Sequence, residues 1–207
     1  MKKNFKNLIA VWWIFFGLSV IPVQAVSLKE VVERWEEKGL TRFSTVADFM
    51  PYQGLRRDES TKFLVQYAHL IGYRPAEINS DCSFSDLSLA WQDLIPYIQE
   101  ACELGIMKGS RGKVMPDEKL TNEQIVAMVM RIAIGFMDEE NSARWSDEYY
   151  DAIKMFDVNT YPFTSREAET QRGNVLTLLY EMFQGKLVQN TELDKKLQEL
   201  LDLLNED

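Results

Sequence analysis

The sequence predicts an all-helical protein, and three observations carry that prediction. Strand-like alternation is scarce, apolar residues recur at helical spacing in segment after segment, and glycines and prolines fall between those segments. Taken in order, "LKEVVERWEEKGL" puts Leu28, Val31, Val32 and Trp35 on one face with acids opposite. "ESTKFLVQYAHLIGY" does the same with Phe63, Leu64, Tyr67, Leu70 and Ile71. "AWQDLIPYIQEACELGI" carries Leu94, Ile95, Ile98, Ala101, Cys102 and Ile106. "TNEQIVAMVMRIAIGFM" is apolar nearly all round, as a central helix is, and "RGNVLTLLYEMF" offers Val175, Leu178, Leu179 and Met182. A last stripe, Leu193, Leu197, Leu200, Leu201 and Leu204, predicts an amphipathic C-terminal helix over 186–207, with Thr191 as its cap.

Before the first helix stands "MKKNFKNLIAVWWIFFGLSVIPVQAVS". Lys2, Lys3 and Lys6 precede an uncharged apolar run from Leu8 to Val23, and Val23-Gln24-Ala25 has the small-residue pattern of a processing site. Residues 1–25 are therefore expected to be a cleaved export signal, with a retained membrane anchor as the alternative. Removing them takes three lysines and no acid, which moves the formal net charge from −9 to −12. So acidic a chain is not expected to partner nucleic acid or an anionic membrane surface.

Cys82 and Cys102 both follow the signal, so an oxidising compartment allows them to pair; two buried free thiols are the alternative. Neither metal nor cofactor is expected. His69 is the single histidine, whereas a closed zinc site takes four ligands. The acidic run Asp138–Asn141 lacks the alternating ligands of a calcium loop and reads as a solvated linker. Asp147 is expected to cap the helix that follows it.

The chain also repeats itself. "FMPYQGLRRDE" (49–59) aligns with "VMPDEKLTNEQ" (114–124), Pro51 over Pro116 and Leu55 over Leu120, each running into an apolar helix. Gly39 and Gly105 end the helices that precede them. A looser third copy begins at "RWSDEYYDAIKMF", where Trp145-Ser146-Asp147 echoes Phe84-Ser85-Asp86, and closes through "TQRGNVLTLLYEM".

These features in this order resemble an S-layer homology (SLH) repeat. Its pattern is an aromatic-x-Asp, a helix ending in Gly-Ile, a glycine loop, an aromatic-x-Pro, then Leu/Ile-Thr-Arg-x-Glu opening a second helix. The resemblance is closest over 84–132, looser over 28–74 and loosest over 143–183. Residues 28–74, 82–138 and 143–185 are accordingly expected to be three helix–loop–helix repeats in a pseudo-threefold bundle. The resemblance implies an exported protein of the cell surface, wall or S-layer, whose grooves between repeats bind wall polysaccharide or peptidoglycan. In that family an arginine of the Thr-Arg-x-Glu motif grips an acidic, often pyruvylated, sugar.

Carried over by position, the first copy keeps Arg57 and Glu59, the second has Asn122 and Gln124, and the third has Arg172 and Asn174. Arg57 is the expected anion grip, oriented by Glu59, with Arg172 a second grip and Asn122 a degenerate one. As a helix-start residue, Arg57 is expected to contribute little to the core. Trp91 and Trp145 are candidate stacking faces, with core packing as the alternative. The departures from the motif point away from a pyruvylated ligand and towards a less charged glycan. No Gly-x-Ser-x-Gly, histidine pair or Cys–His signature is present, so no catalysis is expected. A structural surface protein whose repeats contact other surface-layer proteins is the alternative function.

Overall fold

The computed structural model describes residues 26–75, 77–137, 143–156, 158, 161 and 165–185. The expected export signal, the acidic linker 138–141 and the C-terminal tail 186–207 lie outside the described residues. The helices are α1 (Leu28–Glu37), α2 (Val46–Phe49), α3 (Arg57–Leu70), α4 (Ile95–Glu103), α5 (Asn122–Ile134), α6 (Asp147–Ile153) and α7 (172–185). Two 3₁₀ turns, Leu87–Leu89 and Gln92–Leu94, lead into α4. Among the described residues the only β pairing is isolated bridges. None of their helices is long and apolar enough to cross a membrane.

Most positions of the predicted apolar faces are buried or half-buried, but Leu70, at the end of α3, is exposed. Val31, Val32 and Trp35 of α1 are fully buried, as are Ile98 and Ala101 of α4 and Val175, Leu178 and Leu179 of α7. Trp35 is a hub: its indole N–H donates to Leu176 O (2.8 Å), and its ring meets Tyr67, Tyr180 and Phe183 edge-on. Helix α5 buries residues all round, from Asn122 to Ile132, as its nearly uniform apolar sequence predicts. Its start is a capping box, with Gln124 N donating to Thr121 Oγ1 and Thr121 N to Gln124 Oε1. Gly105 sits at φ +71°, the left-handed conformation that ends α4 at little cost.

The segments entering α3, α5 and α7 meet one another and close a ring of backbone hydrogen bonds. Leu55 N donates to Thr170 O (3.0 Å), Thr170 N to Leu120 O (2.8 Å), and Leu120 N to Leu55 O (3.0 Å). A second set runs outside the first. Arg57 N reaches Glu118 O, Asn122 N reaches Ala168 O, and Arg172 N reaches Gln53 O. The first free N–H of each helix is thus satisfied by the loop of a neighbour. Met50 and Met115, each immediately before a proline, share a left-handed backbone (φ 52° and 54°). The aligned positions of the sequence are therefore matched in backbone geometry.

The cysteines pair. A Cys82–Cys102 disulfide (S–S 2.10 Å) pins the segment before Phe84 to α4. That segment lies over the glycine loop: Ser85 N donates to Gly112 O, and the Asp86 carboxylate accepts from Val114 N (2.9 Å) and Met115 N (2.8 Å).

One expected cap is different. Ser146, not Asp147, precedes α6. Asp147 is the first helical residue, and its carboxylate accepts from Arg144 N and from the Arg166 guanidinium. One carboxylate oxygen is thus taken by the backbone just before the helix and the other by a basic residue arriving from the next loop.

Candidate functional site

The three helix starts around the ring carry the predicted site residues. Arg57, Asn122 and Arg172 occupy the first positions, and all are buried, with 8%, 2% and 9% of their surfaces exposed. Their environments differ sharply.

Arg57 donates from Nη2 to Lys108 O (3.3 Å), while its Nε is buried with no hydrogen-bond partner. Among the described residues no carboxylate forms an ion pair with it. Burial pulls its pKa below the usual arginine value and nearby Arg131 adds to that, against the attraction of Glu118 and Asp86. The expectation that Arg57 contributes little to the core does not hold, since its side chain is buried. The loop that α3 starts from is itself enclosed by the ring, so the first side chain of the helix goes inward.

Glu59 does not orient Arg57. Its carboxylate accepts from Arg56 N (3.1 Å) and pairs with Arg172 from α7. Arg172 also donates to Phe49 O (3.3 Å), leaving its Nε buried and unpartnered. Two residues expected in separate grooves thus neutralise each other, because the starts of α3 and α7 abut across the ring. At the position matching Glu59, the second copy has neutral Gln124, which is occupied by its own capping box.

Asn122, expected as a ligand contact, anchors a loop. Its amide donates to Ser165 O (2.8 Å), and its carbonyl oxygen accepts from the buried Tyr161 hydroxyl (2.9 Å). Trp145 is half-buried against the core. Trp91 does: it is 51% exposed, and the Arg56 guanidinium stands 4.8 Å from its ring centre.

Arg56 and Asp58 were not singled out by the sequence, yet they fix Trp91. Asp58, fully buried, accepts both Nε and Nη2 of Arg56 (3.0 and 2.7 Å), Glu59 N and Trp91 N. Glu123 plays the matching part in the second copy, accepting from Arg144 Nε (2.8 Å) and Ser146 Oγ (2.9 Å). The third copy has Gly173 there. A Cβ at Gly173 would come within 2.9 Å of Pro51 Cβ, and beside it opens a cleft of about 200 Å³. Tyr52, Gln171, Asn174 and Thr177 line it, with Val26 and Leu28 at the start of α1. The only signal for this cleft in the sequence is the glycine standing where the other copies carry an acid.

In comparisons with known proteins, no family model matches this chain and no curated relative does.

Proposed function

We propose that the protein is an exported, non-catalytic cell-envelope protein of the SLH type that binds wall glycopolymer or peptidoglycan. In this reading residues 28–74, 82–138 and 143–185 are three repeats about a pseudo-threefold axis. The closed hydrogen-bond ring through Leu55, Leu120 and Thr170 supports that arrangement.

The observation that carries the binding role is Arg57. A buried guanidinium with no ion pair among the described residues and an unpartnered Nε is a costly arrangement in an apoprotein. A carboxyl or hydroxyl group of a glycan supplies the missing acceptor, and a planar guanidinium suits a carboxylate. Exposed Trp91, held through Asp58 at the next position of α3, offers a ring face for a sugar. Arg172, already neutralised by Glu59, is left a structural role.

The test is sedimentation of residues 26–207 with wall fractions before and after extraction of polymer. Polymer-dependent pelleting is expected, together with loss of affinity by roughly 1.5–3 kcal/mol in Arg57→Gln. Pelleting that ignores the polymer, or that Arg57→Gln leaves intact while circular dichroism reports a folded chain, removes the reading. A second reading, contact with other surface-layer proteins, is favoured by the neighbouring exposed side chains Leu89 (56%) and Trp91 (51%). Under it, purified surface proteins rather than glycan retain the chain.

A further inference from the structure

The three helix starts around the ring are covered unequally. At two of them, the segment leading into another helix lies against the second residue of the start. Trp91, ahead of α4, donates its N–H to Asp58 (3.3 Å), and Arg144 and Ser146, ahead of α6, donate to Glu123 (2.8 and 2.9 Å). The third start, that of α7, has Gly173 at this position and the cleft of about 200 Å³ beside it. By the same order, the segment leading into α1 belongs there. The described residues begin at this cleft: Val26 lines it, and Ser27 caps α1 by accepting from Glu30 N (3.2 Å). Five residues ahead of Val26 span up to about 17 Å when extended, enough to cross it.

The chemistry of the lining fits that occupant. Leu28, Pro51 and Tyr52 give apolar surface, Gln171, Asn174 and Thr177 give amide and hydroxyl groups, and none is charged. Tyr52 is 79% exposed, and Leu28 is only half-buried although Val31, Val32 and Trp35 on its face of α1 are fully buried. Apolar surface is thus left uncovered where the chain enters. Residues 21–25, Ile-Pro-Val-Gln-Ala, are likewise uncharged and mostly apolar. The space falls below the roughly 300–1,000 Å³ typical of small-molecule sites and suits a few side chains. We propose that residues 21–25, while attached to Val26, seat in this cleft, with their apolar side chains on Leu28, Pro51 and Tyr52 and their backbone served by Gln171, Asn174 and Thr177. The leader is then a plug as well as an address: a chain cut after Ala25 has this cleft open, and an uncut chain has it closed. The contact does not depend on what the rest of the molecule binds, so it stands apart from the wall-binding reading.

The experiment uses the full chain 1–207, made by cell-free synthesis without signal peptidase and held in detergent. With Tyr52→p-benzoylphenylalanine, irradiation and peptide mapping are expected to find crosslinks from position 52 to residues 21–25 of the same chain. Without that substitution, the NMR amide shifts of Gly173, Asn174 and Thr177 are expected to differ from those of residues 26–207 in the same detergent. Val23→Asp, which brings a charge to an uncharged lining, is expected to move them back towards the shorter chain's values. The Leu64 and Val65 amides, buried in α3, should stay in place throughout and report an intact fold. Crosslinks only to another copy or to other parts of the chain overturn the proposal. So do identical Gly173 shifts in the two chains, or shifts that Val23→Asp leaves unmoved. Failure to pellet with wall polymer removes the tether and leaves these readouts untouched.

Discussion

The Arg172 guanidinium and the Glu59 carboxylate, 113 residues apart, form a buried ion pair that joins the start of α7 to the start of α3. Both side chains are nearly inaccessible, so removing one partner leaves the other charged and unpaired in the interior. Glu59→Gln is therefore expected to lower stability by roughly 3–5 kcal/mol. The double variant Glu59→Gln/Arg172→Met should cost clearly less than the two single changes summed. Urea denaturation of the four proteins measures both quantities; additive losses would mean the pair does not act as one.

Asn122 is expected to behave as an anchor. Asn122→Ala removes the amide's hydrogen bond to Ser165 O and one of the bonds made by the buried Tyr161 hydroxyl, a loss of about 1–3 kcal/mol. Its thermal midpoint should fall while wall pelleting at a temperature where it is folded stays at the wild-type level.

Asp86 gives a pH dependence with a definite sign. Burial by itself raises its pKa, but the Val114 and Met115 N–H groups outweigh it and hold the value below the ordinary 3.8. A depressed folded-state pKa contributes stability above the unfolded value and loses it as pH falls through the folded one. Asp86→Asn should accordingly be less stable than wild type at pH 7, with the gap narrowing below pH 4. Urea midpoints at pH 7 and pH 3 check this, and a gap constant across that range would contradict it.

The disulfide should matter to the loop that touches Arg57. It fastens the segment bearing Ser85 and Asp86, which clamps the glycine loop running on from Lys108. Replacing both cysteines with serine is expected to cost about 2–4 kcal/mol. Hydrogen exchange should speed up first at Val114 and Met115, ahead of the amides of α7. Peptide mapping without reductant should recover a linked Cys82–Cys102 fragment.

Much of the helical content was legible because it depends on local rules. The spacing of Val31, Val32 and Trp35 marks a face, Thr121 and Gln124 mark a helix start, and Gly105 marks a stop. The alignment of Leu55 with Leu120 was legible for the same reason, since proline and the following apolar run fix the register. The site was harder to read because its partners come from other copies. An arginine at a helix start ordinarily faces water, and nothing local says that Arg57 and Arg172 are enclosed by neighbouring loops. That Glu59 joins Arg172 rather than Arg57 depends on which loops meet. The role of Asp58 was missed because it holds a tryptophan 33 residues away.

The ring through Leu55, Leu120 and Thr170 has no free end, and this sets the protein apart from stacked-repeat rods. A rod can gain or lose a unit in the middle and unravel from its tips, because each unit touches only its neighbours. Here the last loop donates to the second and accepts from the first, so excising any one leaves two unsatisfied edges inside the molecule. Length is thereby quantised: the ring is expected to melt as one body, and deletion of the segment carrying Leu55, Leu120 or Thr170 is expected to yield an unfolded polypeptide rather than a shorter working version.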